Sequence, residues 1–193
     1  IIVLISAITA HSQDQMLDVC PLKIGESIPD SIELTNADGE QIILGDIVTN
    51  EKAILVFYRG GWCPYCMRHL SALGQVKDEI DKLGYKLYAF TPDRFDSLGV
   101  SQVKSQSDYE IFSDSKAQLI TAFGLGWEVD HTNYVKYRDQ YGIDTEEWSG
   151  EEHHVLPVPA VYIINDGVVQ FNYVNPNYSC LLYTSPSPRD SVG

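Results

Sequence analysis

Two cysteines three residues apart constrain this chain more than any other feature of it. Cys63 and Cys66 follow an apolar run at residues 53–58 and a Gly60-Gly61 pair, and a helical pattern comes after them. Residues three apart at the start of a helix lie on one face, close enough for two sulfurs to bridge. Free backbone N–H groups and the helix dipole favour an anion there, so the first cysteine is favoured as the reactive thiolate. The spacing predicts a redox site.

The position of each cysteine predicts its role. We expect Cys63 to be the nucleophile because it lies nearest the helix start, and Pro64 suits the first helical position. Cys66 lies one turn further and is expected to resolve the intermediate. The thiolate can attack a peroxide, giving a sulfenic acid that Cys66 condenses to a disulfide, or it can attack a substrate disulfide. Three neighbours can support the site, namely Trp62, Arg59 and Arg68.

Two other uses of the motif fit the chain less well. A zinc site needs a second pair of ligands, whereas His153 and His154 are adjacent and Cys20 stands alone. A purely structural disulfide would close a very short loop, which stabilises a fold little. We therefore expect neither a metal nor a cofactor.

Composition restricts the partners. The 193 residues carry a formal net charge of −14. A nucleic-acid binder needs a basic patch for the phosphates, and the sequence shows none. Hydrophobic residues make up 44% and charged residues 21%, as in ordinary globular domains.

The order of predicted elements defines an α/β fold. A buried strand at 53–58, a helix at 64–83 and a strand at 85–90 lead to further α and β segments, then to a hairpin of strands 160–165 and 168–174. This order matches the thioredoxin-like fold, a central mixed sheet flanked by helices, with its final helix expected to be missing here. That fold places a cis-proline opposite the cysteines, and the candidate is Pro159.

Both ends of the chain have unusual composition. Residues 1–12 begin with ten uncharged residues, too few to span a bilayer. They fit a partial signal peptide, which predicts a periplasmic or secreted protein without stable membrane insertion. A buried first strand in a cytoplasmic protein is the alternative. Residues 180–193 are rich in Ser and Pro and resemble translated sequencing adapter, with a natural disordered tail as the alternative. We expect one domain at 20–178.

Three further segments are weaker candidates. The tyrosine-rich stretch at 127–152 either covers the site or packs as an added helix. Residues 151–154, Glu-Glu-His-His, fit a solvated loop better than a part of the site. His69 is expected at the surface, since it points away from Cys63 by helical angle.

From about residue 21 to 178 the chain resembles the peroxiredoxin-like AhpC/TSA group of the thioredoxin superfamily. The resemblance implies that Cys63 is the peroxidatic cysteine, Cys66 the second cysteine of a thioredoxin motif and Pro159 the cis-proline. It also implies a peroxide or disulfide substrate and a thiol electron donor, either a thioredoxin-like protein or a small thiol. The residues that carry it are Phe57-Tyr58-Arg59-Gly60-Gly61-Trp62-Cys63-Pro64-Tyr65-Cys66, Thr91-Pro92-Asp93, Leu156-Pro157-Val158-Pro159-Ala160 and Val174-Asn175-Pro176-Asn177-Tyr178.

The chain departs from the family at two positions. Peroxiredoxins have Pro-x-x-x-Thr/Ser-x-x-Cys, but here Val56 and Gly60 replace the proline and the hydroxyl residue. The favoured hypothesis is an antioxidant thiol peroxidase that forms a Cys63–Cys66 disulfide. A thiol–disulfide oxidoreductase, favoured by the missing hydroxyl, is the second hypothesis, and a redox-inert binding module is the third.

Overall fold

A seven-stranded mixed sheet forms the centre of the structure, a computed structural model that describes residues 19–106 and 108–177. The strands in chain order are β1 (Glu33–Thr35), β2 (Gln41–Ile43), β3 (Lys52–Phe57), β4 (Tyr85–Thr91), β5 (Glu110–Ser113), β6 (Gly126–Glu128), β7 (Val155–Pro157), β8 (Ala160–Asn165) and β9 (Val168–Val174). Across the large sheet the order is β2-β1-β5-β4-β3-β8-β9, while β6 and β7 pair with each other. The predicted central mixed sheet is confirmed.

Helices cover both faces of this sheet. They are α1 (Leu44–Val48), α2 (Pro64–Gln75), α3 (Lys77–Lys82), α4 (Leu98–Ser105), α5 (Gln118–Ala122), α6 (His131–Tyr141) and α7 (Thr145–Ser149), with a 3-10 turn at Phe95–Ser97. Side chains of α1 and α5 join the core on one face, and those of α2 and α4 join the core on the other.

Strand β3 is buried on both faces, which explains its continuous apolar sequence. Ala53, Leu55 and Phe57 belong to one core cluster. Val56, together with Tyr58 just beyond the strand, belongs to the other. Because side chains alternate along a strand, a run apolar at every position places side chains in both cores.

The parallel pairing of β3 and β4 decides which loops meet. Phe57 lies opposite Phe90 in this register, and the N–H of Tyr58 donates to the carbonyl of Phe90 at 3.1 Å. The two strands therefore end at the same edge of the sheet. The loop before Cys63 and the loop that holds Asp93 leave from that edge.

Two local predictions are wrong and one is confirmed. The helix predicted over 64–83 is two helices, α2 and α3, separated at Val76 with φ −108° and ψ 7°. Gly74, a weak helix former, lies in the last turn before the break. His69 is buried at 6% exposure, because it lies three residues after Cys66 on the inner face of α2. The predicted hairpin is present as β8 and β9.

Several predictions concern segments outside the described residues. The partial signal peptide at 1–12, the tail at 180–193 and any final helix all lie there, so export stays a prediction. Within the described part of the chain, no helix has the length and apolar character needed to cross a membrane.

Candidate active site

Cys63 occupies the N-cap of α2. Its backbone is extended, with φ −88° and ψ 110°, and Pro64 takes the first helical position, as predicted. The Cys63 Sγ accepts the backbone N–H of Cys66 at an N···S distance of 3.4 Å. The sulfur therefore satisfies one of the N–H groups that a helix start leaves unpaired, and it meets the positive end of the helix dipole.

The two thiols are free and buried, and their surroundings shift their pKa values in opposite directions. A hydrogen bond from the Cys66 thiol, together with the Cys66 N–H and the Arg59 charge, lowers the pKa of Cys63 to about 7 against the effect of burial. Burial raises the pKa of Cys66 well above its usual value. Near neutral pH the thiolate is therefore readily populated at Cys63, whereas Cys66 stays a thiol, which is the division of roles expected for nucleophile and resolving cysteine.

Arg59 is the cation that acts on Cys63. Its guanidinium is buried between two rings, 4.9 Å from the Trp62 ring centroid and 5.7 Å from that of Tyr137. Its Nη2 donates to the Tyr137 hydroxyl at 3.0 Å. Tyr137 belongs to α6, so the tyrosine-rich insertion holds the arginine in place. Arg68 is exposed and lies over the Tyr65 ring.

Replacing Arg59 by glutamine should raise the pKa of Cys63, because the variant loses a positive charge that favours the thiolate. We expect an increase of roughly half a unit to one unit, seen as slower alkylation of Cys63 by iodoacetamide below neutral pH. Arg68→Gln is the matched control, since it removes an exposed arginine nearby. An unchanged alkylation profile in Arg59→Gln, or an equal shift in Arg68→Gln, would contradict the assignment.

The Gly60 backbone has a conformation that favours glycine, with φ +153°. A Cβ atom built there would lie 2.2 Å from Trp62 Nε1 and 2.8 Å from Asp93 Oδ1. The half-buried Trp62 ring therefore occupies the space that a side chain at this position would need. The packing therefore leaves no room for the hydroxyl residue of the family pattern at this position.

The Asp93 carboxyl group and the Lys104 ammonium group hold the backbone of the next residue, Gly61. The Gly61 N–H donates to Asp93 Oδ2 at 2.7 Å, and Lys104 Nζ donates to the Gly61 carbonyl at 3.0 Å. Sequence reasoning used Asp93 only as part of a motif and did not find Lys104. The parallel order of β3 and β4 was the signal for Asp93, because residues after neighbouring parallel strands meet at one edge. No pattern in the sequence pointed to Lys104.

The expectation that Pro159 is a cis-proline is wrong. The peptide bond before Pro159 is trans, as are the others among residues 19–106 and 108–177. Pro159 is buried immediately before β8, whose Ala160 pairs with Phe57 at the end of β3. Two backbone hydrogen bonds hold this trans segment, from Val158 N–H to the Leu125 carbonyl and from Asn175 N–H to the Pro159 carbonyl. Pro159 thus lies beside the end of β3 that leads to the cysteines, in the trans isomer.

Residues 151–154 lie closer to the site than expected. His153 and His154 line a small cavity together with Trp62 and Asp93. His153 Nε2 contacts the Ser115 carbonyl at 2.6 Å, and the His154 ring stacks on Tyr134 of α6 at 4.1 Å. For the two half-buried histidines the interpretation as a solvated loop is therefore wrong, whereas Glu152 is exposed as that interpretation expects. No cluster of three or more His, Cys, Asp or Glu side chains suited to a metal occurs in the described ranges.

An α/β sheet whose central strand delivers a low-pKa thiol to a helix start is the architecture of the thiol-based oxidoreductases. Residues 24–172 match the family model described as the AhpC/TSA family, and the chain belongs to that family. Among curated proteins it is 28% identical over 108 residues to peroxiredoxin Bcp of Escherichia coli K12, covering 56% of this chain and 68% of that protein. The expected class, a peroxiredoxin-like thiol oxidoreductase, is confirmed.

Solved structures confirm the thioredoxin-like fold. Reduced Prx3 from Vibrio vulnificus, in complex with hydrogen peroxide, superposes with a TM-score of 0.65 at 15% identity, covering 80% of this chain and 88% of that one. A protein from Burkholderia cenocepacia described as a putative thioredoxin reductase gives a TM-score of 0.66 at 15% identity, covering 87% and 100%. At these identities the likeness concerns the fold alone.

Proposed function

We propose that the protein is a thiol peroxidase in which the Cys63 thiolate attacks a peroxide and Cys66 then closes a Cys63–Cys66 disulfide. The observation that carries the proposal is the geometry of the pair, with Cys63 at the N-cap of α2, where its Sγ accepts the Cys66 N–H at 3.4 Å, and Cys66 buried one turn inside the helix. The pKa shifts of the two thiols, down for Cys63 and up for Cys66, agree with that placement. Family membership supports a peroxide as the oxidant. A thioredoxin-like protein or a small thiol would return the disulfide to its reduced state.

Burial of the nucleophile favours a small oxidant. Cys63 is 2% exposed, and a protein disulfide must bring its two sulfurs into line with the attacking thiolate. A peroxide of a few atoms needs smaller movements of the surrounding side chains to reach a buried sulfur. The same burial hinders a folded protein substrate.

Thiol–disulfide exchange is the second candidate, and one observation favours it. The position that carries a hydroxyl in peroxiredoxins is Gly60 here, and the Trp62 ring fills the space. Any peroxide must then be held by other donors around Cys63, such as the N–H groups at the start of α2 and the Arg59 guanidinium. A disulfide substrate would not need the missing hydroxyl.

Mixing the reduced protein with hydrogen peroxide distinguishes these candidates. We expect a rapid change in tryptophan fluorescence in a stopped-flow instrument, with a rate constant far above that of free cysteine, and slow reduction of insulin disulfides. Cys20→Ser is the control, because Cys20 is exposed and lies beside Gly124. No reaction with peroxide but brisk insulin reduction would establish the second candidate. No reaction in either assay would leave only the redox-inert binding module.

A further inference from the structure

Tyr137 joins the tyrosine-rich insertion at 127–152 to the loop that carries Cys63. Its hydroxyl accepts a hydrogen bond from Arg59 Nη2 at 3.0 Å, and its ring centroid lies 6.4 Å from that of Trp62. The reaction proposed for the two thiols does not involve this tyrosine. Its contacts nevertheless reach the residues that come immediately before the nucleophile.

Trp62 connects the two sides of this contact. Its half-buried ring packs against the core cluster that contains both cysteines, and also against the cluster that includes Tyr134 of α6. The Arg59 guanidinium lies 4.9 Å from the Trp62 ring centroid. The Cys63 N–H donates to the Gly60 carbonyl at 3.1 Å, which closes a turn just after Arg59. The guanidinium therefore lies beside the turn that delivers Cys63 to the start of α2.

A buried cation depends on the groups that surround it. Arg59 is 4% exposed, and removing a guanidinium from water is costly unless other contacts replace its hydration. The Tyr137 hydroxyl offers an oxygen acceptor, and the rings of Trp62 and Tyr137 offer the negative faces that attract a guanidinium. Because an arginine side chain has many rotamers, such contacts determine where its charge lies.

We propose that Tyr137 is a positioning residue of the thiol site: it holds the Arg59 guanidinium beside the loop that carries Cys63, and the insertion thereby controls the reactivity of the nucleophile. The Coulomb energy between a guanidinium and a thiolate falls as they separate, so the place of the charge matters. The hydrogen bond from the Cys66 thiol and the Arg59 charge both lower the pKa of Cys63, as this placement requires. This role rests on the proposed use of Cys63 as the nucleophile, and it holds for either oxidant.

The backbone of α6 is fixed independently of the Tyr137 hydroxyl. At the start of the helix, the Asp130 side chain accepts the Asn133 N–H at 3.0 Å. At its end, Gly142 takes the left-handed conformation, with φ 66°. The Tyr137 carbonyl accepts the N–H groups of Gly142 and Ile143. Loss of the hydroxyl alone should therefore leave the helix in place.

The variant Tyr137→Phe removes the hydroxyl and keeps the ring. We expect the midpoint of the pH profile for Cys63 alkylation to rise by about a quarter to a half of a unit, since a less firmly held guanidinium lies further from the thiolate on average. Alkylation by iodoacetamide, located by mass spectrometry, measures this profile. Tyr141→Phe is the matched control and should keep the wild-type profile, because Tyr141 lies one turn further along α6 and is 58% exposed.

A double-mutant cycle separates positioning from a general structural effect. If Tyr137 acts through Arg59, adding Tyr137→Phe to Arg59→Gln should leave the profile of Arg59→Gln unchanged. An equal shift in both backgrounds would overturn the proposal, and so would a wild-type profile in Tyr137→Phe alone. The charged or titratable side chains that interact with Cys63, namely Arg59, Cys66 and Asp93, all remain in Tyr137→Phe.

NMR of nitrogen-labelled arginine observes the anchoring directly. A guanidinium that is held rotates slowly and gives separate Nη signals, and Arg59→Gln identifies those that belong to Arg59. We expect separate signals in the wild-type protein and merged signals in Tyr137→Phe. Merged Arg59 signals in the wild-type protein would refute the role even if the variant failed to fold.

The alkylation and NMR measurements contain no peroxide, so they test this role apart from the peroxidase proposal. A protein that is inert to peroxide but shows the shifted profile in Tyr137→Phe would contradict the peroxidase proposal and support the positioning role. A protein that reacts rapidly with peroxide but keeps its profile in Tyr137→Phe would do the reverse.

Discussion

Serine in place of Cys63 is expected to reduce the rate of reaction with hydrogen peroxide at least about a thousandfold, the scale on which loss of a nucleophile acts. The Cys66 thiol cannot substitute for it, because burial raises its pKa and keeps it protonated. Peroxide consumption at neutral pH, followed with an excess of a thiol donor, measures the effect. A Cys63→Ser protein with wild-type peroxide consumption would disprove the assignment of the nucleophile.

The variant Cys66→Ser should separate the two chemical steps. Its Cys63 can still be oxidised by one equivalent of peroxide, but the sulfenic acid then lacks its partner. Dimedone should trap that sulfenic acid, and mass spectrometry should place the adduct on Cys63. Cys20→Ser serves as the control and should form the disulfide normally. A dimedone adduct on Cys66 in the wild-type protein would reverse the two roles.

Threonine at position 60 is expected to damage the protein, although it restores the residue that peroxiredoxins carry there. The Gly60 φ of +153° is unfavourable for any other residue, and a Cβ would lie 2.7 Å from Trp62 Cδ1 as well as 2.2 Å from its Nε1. Trp62 or the loop before Cys63 must then move. We expect Gly60→Thr to lower the free energy of unfolding by about 2–4 kcal/mol, from strain and overpacking together, and to lose most of the peroxide reaction.

Gly84→Ala provides the comparison. Gly84 has φ +80°, but no atom lies within 4 Å of its would-be Cβ. That variant should lose about 1 kcal/mol, the cost of the backbone conformation alone, and react with peroxide as the wild type does. Urea denaturation and stopped-flow kinetics measure both variants. A Gly60→Thr protein of wild-type stability with a faster peroxide reaction would show that the Trp62 packing does not exclude a side chain.

The packing around Gly60 gives the departure from the family motif a physical explanation. Gly60 is not simply a lost threonine, because Trp62, Asp93 and Gly61 form one packed unit around the loop. Arg59, held by Trp62 and Tyr137, supplies charge to the same sulfur. Several side chains pack together around the loop before Cys63. Restoring one family residue by itself should therefore not restore the peroxide reaction of the family.

Much of the site could be predicted because it is local. Cys63, Pro64 and Cys66 belong to one helix start, so their spacing alone determines which groups face each other and which sulfur meets the free N–H groups. The central strand and the β8–β9 hairpin were predictable for the same reason, since an uninterrupted apolar run and an Asp-Gly turn are local signals. The helix break at Val76 was missed because the apolar spacing continues across it.

The sequence by itself therefore determined the redox motif, the order of elements and the family resemblance, all of which rest on short-range pattern. Only the tertiary structure decided what surrounds the motif. It brought Asp93 and Lys104 to the Gly61 peptide, buried Arg59 under Tyr137, filled the Gly60 space with Trp62 and kept Pro159 trans. Apart from the contact of Trp62 with Gly60, these features depend on residues far apart in the chain that meet at one edge of the sheet, and spacing along the sequence carries no direct record of such contacts.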